Sequence, residues 1–223
     1  MNITILPETM KNPITVIGRN IGICYGSDIS DDAKNYKRGL SSIKAGHGRV
    51  LEFAEIYMAI SGVSARTMRQ WYTHIGGSPT RVQESTRYIN YKDFQFVLPK
   101  SIKNNETAYP VYIKTMADIR NAVSVMQDAG VPKEDAALVL PLGMETGICC
   151  MHNARNIMDM SGQRKCVRTY WEYREIMSYL EEQIRAYSEE WNTLCDIIFR
   201  CKCDKAGFCL EEYSCGKYPK LDE

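Results

Sequence analysis

The chain lacks most of the features that announce a function directly. No G-x-G-x-x-G or Walker pattern occurs, which argues against a standard dinucleotide-binding or P-loop fold. No apolar run approaches the length of a membrane span. Met1-Asn2-Ile3-Thr4-Ile5 has neither the basic nor the apolar block of a signal peptide, so the expected compartment is the cytoplasm. The formal charge is only +1, which removes any global pull toward nucleic acid or membrane. An anion site would have to be built locally. Internal repeats and low-complexity segments are absent.

What is present suits a globular protein. The 223 residues are 44% hydrophobic and 25% charged, enough apolar mass for a real core. Helical and extended patterns mix without a βαβ rhythm, which points to an α+β fold. Residues 1–30 are predicted as a strand or two around Pro7 and Pro13, then a turn at Gly26-Ser27. Residues 31–45 have helical spacing, with Asp31-Asp32 at the favourable end. Residues 50–60 are β-branched and aromatic, and predict a strand buried on both faces for much of its length. Ser64 can cap a short helix through Tyr72, and Gly76-Gly77-Ser78-Pro79 must be a loop. Strands are expected at 94–98 and 108–114, a helix at 115–129 ended by Gly130, and another helix from Asn153 to Met160. Tyr173, Met177, Leu180, Ile184, Tyr187, Trp191, Leu194 and Ile198 form an apolar seam that predicts one long C-terminal helix begun by Arg168 and Arg174. The expected organisation is a single domain over 1–200 and a Cys-rich tail over 201–223.

Only three histidines occur: His47, His74 and His152. A lone histidine is usually structural. Two of these sit among glycines and arginines, where backbone can approach a ligand and guanidinium groups can grip phosphate. Arginines gather around residues 66–87 (Arg66, Arg69, Arg81, Arg87), at Arg155 and Arg164, and at Arg168 and Arg174. Any one of them is most simply a solvated charge. Several beside Gly/Ser loops suggest a phosphorylated ligand.

The exact strings go further. Arg69-Gln70-Trp71-Tyr72-Thr73-His74, then Gln83-Glu84-Ser85-Thr86-Arg87-Tyr88, resembles the R-Q-W-x-R-H-R-x-x-S and S-x-R-Y signature of the flavin-dependent thymidylate synthases. Gly46-His47 with Leu51-Glu52 resembles the family's G-H-x-x-x-x-E segment. Leu140-Pro141, Asn153-Ala154-Arg155, Arg164 and Trp171-Glu172-Tyr173-Arg174 match, in order, its L-P, N-x-R, L-R and Q-W-E-I-R elements. The resemblance implies a twisted antiparallel sheet flanked by helices, assembled as a homotetramer with active sites between subunits. It implies FAD-dependent C5 methylation of dUMP, with methylenetetrahydrofolate as carbon donor, NADPH as reductant and no cysteine nucleophile. By the same matching, Gln70, Gln83, Ser85, Arg87 and Arg164 would bind the pyrimidine nucleotide. Arg164 and Ser85 would lie at the reacting base. His47, His74, Asn153 and Arg155 would contact the flavin.

The chain departs from that pattern. Thr73 and Ile75 replace the two arginines of R-H-R, Ala137 replaces the arginine of A-R-x-x-L-P, Arg168 stands at a histidine position, and Asp159 at an asparagine. Lost arginines remove charge-assisted bonds to phosphate, for which Arg81 or Arg168 could compensate. Two further readings stay open: the same chemistry on another pyrimidine nucleotide or with another one-carbon product, and a non-catalytic homologue that binds a nucleotide.

Nine cysteines remain. Cys24, Cys149, Cys150, Cys166 and Cys195 are expected as small buried hydrophobes. Cys201, Cys203, Cys209 and Cys215 cluster in the tail. Four thiolates can hold zinc, but this spacing is not a C-x-x-C pair of pairs, and reduced thiols without metal are the expectation.

Overall fold

A computed structural model describes residues Met1–Leu221; Asp222 and Glu223, the end of the expected tail, lie outside the described residues. In chain order the elements are β1 (Asn2–Ile5), α1 (Pro13–Cys24), α2 (Asp32–Lys44), a 3-10 segment Gly48–Phe53, β2 (Glu55–Ser64), α3 (Ala65–Trp71) and β3 (Thr80–Gln83). There follow α4 (Lys100–Lys103), α5 (Ala108–Asp128), α6 (Lys133–Ala136), β4 (Glu145–Asn153), α7 (Ala154–Arg164), α8 (Trp171–Tyr187), α9 (Glu189–Ile198) and α10 (Lys202–Ala206). The strands form an antiparallel sheet of order β1-β2-β4-β3, so the fold is α+β. No described helix is long and apolar enough to cross a membrane.

Contacts divide the chain into two compact units: Met1–Asn2, Ile60–Thr73 and Val82–Cys149 form one, and Ile3–Ala59, His74–Arg81 and Cys150–Glu223 the other. The first has its own core of Tyr91, Phe94, Met116 and Met144, with Phe96, Tyr112 and Leu140 packed against it. Val97 N–H bonds to Gly143 O at 2.9 Å, and Ala65 N–H to Met144 O at 2.9 Å, which fixes the chain on both sides of that cluster. Residues 94–98 are not a strand; they contribute one isolated bridge, Phe96 with Met144. Residues 108–114 are not a strand either. They open α5, where Pro110 falls in the first turn and costs no helical hydrogen bond.

The second unit is helical around the remaining strand segments. Its α1 replaces the extended chain expected after Pro13. Pro13 stands at the first helical position, and Ile14, Ile17, Gly18, Ile21 and Gly22 recur at helical spacing, all buried. Helices α1 and α2 touch backbone to backbone: a Cβ on Gly18 would lie 1.7 Å from Asn35 O, and one on Gly39 2.1 Å from Ile14 O. The α2 boundaries match the sequence reading, with Asp31 accepting from Lys34 N–H. Likewise Ser64 caps α3 by accepting from Thr67 N–H.

The long C-terminal helix is two helices. Ser188 is extended (φ −160°, ψ 160°), and its side chain caps α9 by accepting from Trp191 N–H. The apolar seam runs on across the break because α8 and α9 both bury it, from Tyr173 through Leu180 and Ile184 to Trp191 and Ile198. Periodicity could not reveal the stop; a serine between Tyr187 and Glu189-Glu190 is a capping signal that the strong seam masks. Arg168 precedes α8 and does not begin it. Of the five cysteines expected in the interior, Cys150 and Cys195 are buried, Cys166 is half-buried, and Cys24 and Cys149 are exposed.

Candidate functional site

The first turn of α7 is built to hold a loop. Asn153 caps the helix by accepting from Asn156 N–H at 2.9 Å, and its Nδ2 donates to Gly77 O at 3.0 Å. Asn156 Nδ2 donates to Gly76 O at 2.6 Å, and its Oδ1 accepts from His152 Nδ1. Two amides three residues apart on one helical turn therefore staple consecutive carbonyls of the Gly76-Gly77 loop. Gly77 has φ +75°, and a Cβ there would meet the Asn153 amide at 2.6 Å. This staple fixes the loop in which Thr73 and Ile75 stand exposed in place of arginines. Asn153 thus spends its side chain on the loop and the helix end, and Asn156 is a site-building residue that the motif comparison missed.

The loop carries His74 into the interior, 8% exposed. Arg164, at the last turn of α7, donates from Nε to His74 Nε2 at 2.9 Å. A guanidinium can only donate, so Nε2 is the bare nitrogen and the imidazole is neutral with its proton on Nδ1. Burial pushes the His74 pKa down to about 4, reinforced by the charges of Arg164 and Arg81 and opposed by Asp159. Arg81 also donates to His74 O at 3.2 Å. The Arg164 guanidinium lies 4.8 Å from the Tyr173 ring centroid, and His74 meets the same ring edge-on at 6.1 Å. Tyr173 occupies the isoleucine position of the Q-W-E-I-R element, so its role as a platform was hidden inside the apolar seam. Burial raises its phenol pKa, so the hydroxyl stays protonated. Arg164 is thus a cation held from two directions by neutral groups.

A second cluster centres on Gly46-His47-Gly48. Arg155 lies against it: a Cβ on Gly48 would fall 1.8 Å from Arg155 Nη1, so only glycine lets the guanidinium sit there. Arg155 pairs with Asp159, one turn on, at 3.4 Å. His47 is exposed and borders two cavities. One, of about 270 Å³, has apolar walls from Ile43, Leu51, Met158 and Ile197 and cations from Arg200 and Lys205. The other, of about 470 Å³, is lined by Ile21, Tyr25, Ser42, His47 and Arg49.

The remaining candidates belong to the first compact unit. Gln83 donates to Thr146 Oγ1 at 3.2 Å. Ser85 opens a turn, its Oγ accepting from Arg87 N–H and its carbonyl from Tyr88 and Ile89 N–H. Arg87 is exposed and pairs with Glu134 at 2.6 Å. Lys133 donates to Tyr88 O at 2.9 Å. Lys133 and Glu134 lie just upstream of Ala137, and neither was singled out by motif. Gln70 is half-buried near the end of α3. Of the two arginines expected to compensate for the lost ones, Arg81 lies in the His74 cluster, while Arg168 lies over the Tyr213 ring at 5.4 Å in the Cys-rich segment.

Two buried histidines make stability depend on pH. Burial also pushes His152 down to about 4, with the Asn156 bond opposing the shift. The unfolded chain protonates both near pH 6.5 and the folded chain only near 4, so their contribution is complete above 6.5 and is lost as pH falls toward 4. For His152 alone that amounts to about 3 kcal/mol. Denaturant midpoints measured at pH 7 and pH 4.5 should fall accordingly; equal midpoints would contradict it.

Comparison with known proteins gives concordant results. The Thy1 family, described as thymidylate synthase complementing protein, matches residues 5–188. The flavin-dependent thymidylate synthase of Geobacter sulfurreducens is 32% identical over 186 residues, covering 79% of this chain and 78% of the relative. The enzyme of the same name from Thermococcus onnurineus is 32% identical over 170 residues, covering 74% and 69%. Among solved structures, a Helicobacter pylori flavin-dependent thymidylate synthase complexed with FAD and dUMP superposes with a TM-score of 0.69 at 17% identity, covering 89% of this chain and all of the other, which shows a shared fold.

Proposed function

Because the chain belongs to the Thy1 family, we propose that it is a flavin-dependent thymidylate synthase, converting dUMP to dTMP with methylenetetrahydrofolate and NADPH. The observation that carries this reading is Arg164 fixed between neutral His74 and the Tyr173 face. A cation oriented before the ligand arrives stabilises negative charge that builds on a pyrimidine ring as C5 becomes nucleophilic. Neutral anchors matter, because a carboxylate partner would cancel the charge that Arg164 supplies.

The residues around Gly46-His47-Gly48 suit FAD. Apolar walls accept a flat ring, Arg155, Arg49, Arg200 and Lys205 offer charge to phosphates, and glycine allows backbone approach. Bound and reduced, FAD would supply the hydride that completes the methyl group. His74 and the loop held by the Asn153–Asn156 staple would face the flavin, and Arg81 would supply charge where Thr73 and Ile75 cannot. Arg87, with Ser85, Gln83 and Gln70, would hold the nucleotide. A homotetramer in the cytoplasm completes the reading.

Purified protein should be yellow and should release tritium from C5-labelled dUMP when folate and NADPH are supplied. A yellow protein that releases none from dUMP but turns over another pyrimidine nucleotide would overturn the choice of substrate. A narrower test concerns Gly48→Ala. The clashing atom is the end of a flexible side chain, so the fold should survive while Arg155 is displaced. FAD affinity should fall roughly tenfold or more, the worth of a charge-assisted hydrogen bond. Flavin titration of the variant would measure this, and unchanged affinity would remove Arg155 from the flavin site.

A further inference from the structure

The segment after α9 has almost no core of its own. From Cys201 to Leu221 it contains α10 and one bridge between Cys209 and Lys220, while Leu210, Tyr213 and Leu221 stay exposed. A short segment that cannot bury enough apolar area needs a covalent or metal staple to hold one conformation.

Cys166, from the loop between α7 and α8, meets the tail cysteines. A cavity of about 20 Å³, the size of a single small occupant, is lined by Cys166, Cys201, Cys203, Cys209 and Cys215 together with Arg168 and Lys202. The Cys201 thiol donates to Gly162 O at 3.7 Å, which ties the start of the tail to α7. Cys209 is anchored by its own N–H to Pro219 O at 2.7 Å.

We infer that this cavity is a structural site for one thiophilic divalent cation, zinc by its chemistry, bound by four of these five cysteines. Tetrahedral coordination by four thiolates is one of zinc's standard structural arrangements. Binding releases one proton per thiol and leaves the metal–sulfur centre with two negative charges, which Arg168 and Lys202 on the same wall offset. Among the described residues no three potential ligands already stand in metal-binding geometry. Binding of the ion would have to bring the tail thiols together with Cys166. The sequence spacing hid the site because one wall comes from Cys166, thirty-five positions before Cys201.

The test is metal content of the full chain, expressed with zinc supplementation and purified without chelator, and it is independent of flavin binding or turnover. About one zinc per chain is expected. Replacement by Co²⁺ should produce thiolate-to-cobalt charge-transfer bands and tetrahedral d–d absorption, even if some variants fold poorly. Serine substitutions at four of the five positions should lower metal content, whereas Cys24→Ser and Cys149→Ser should not. A folded, metal-free protein whose nine thiols all titrate, or one in which mass spectrometry finds these cysteines in disulfides, overturns the inference.

Discussion

Arg164→Ala is expected to reduce turnover of dUMP by roughly 10²–10³-fold, the range for removing a fixed donor from a developing anion. The fall should appear in kcat and kcat/KM alike, because the charge matters most once the pyrimidine has become electron-rich. Arg164→Lys should recover little. A lysine keeps the charge but loses the planar group that both donates to His74 Nε2 and lies over Tyr173. The alanine variant also leaves a buried acceptor on His74 without its donor, which costs about 1–3 kcal/mol of stability. Stability and turnover should therefore be measured on the same preparation. A folded Arg164→Ala protein within about threefold of the parent kcat would remove Arg164 from the chemistry.

Arg87→Ala should act mainly through binding. Losing a charge-assisted contact to phosphate is worth about 1.5–3 kcal/mol, or roughly ten- to a hundredfold in KM for dUMP, with a smaller change in kcat. The Glu134 pair gives this prediction a second arm. Both partners are exposed, so the pair itself contributes about 0–1 kcal/mol and yields to a phosphate dianion. Glu134→Gln removes that competitor and should lower KM. If Arg87→Ala left KM unchanged and Glu134→Gln raised it, Arg87 would be a surface residue tying down α6.

Local chemistry was legible in the sequence wherever it acts alone. Asp31, Ser64 and Asn153 each precede a helical pattern, and each caps its helix. The Gly76-Gly77 loop was equally plain. Elements failed where two signals competed. The chain around Pro13 read as extended although Pro13 begins a helix, and the seam from Tyr173 to Ile198 overrode the cap at Ser188. The candidate residues followed from motif matching, but their partners did not. Tyr173 read as part of the apolar seam, and Asn156 and Glu134 carried no signal of their own. Each acquires its part only through a residue far away in the chain: Arg164, Gly76 and Arg87.

The contact of α1 with α2 has an evolutionary consequence. Gly18 and Gly39 each face a carbonyl oxygen nearer than any side chain could tolerate. A single substitution at either position would have to force two backbones apart, so no one-step path leads away from glycine. Natural variation along these helices should therefore pivot about two frozen positions while their neighbours drift. A saturation library scored for folded yield should read the same way, accepting glycine alone at 18 and 39.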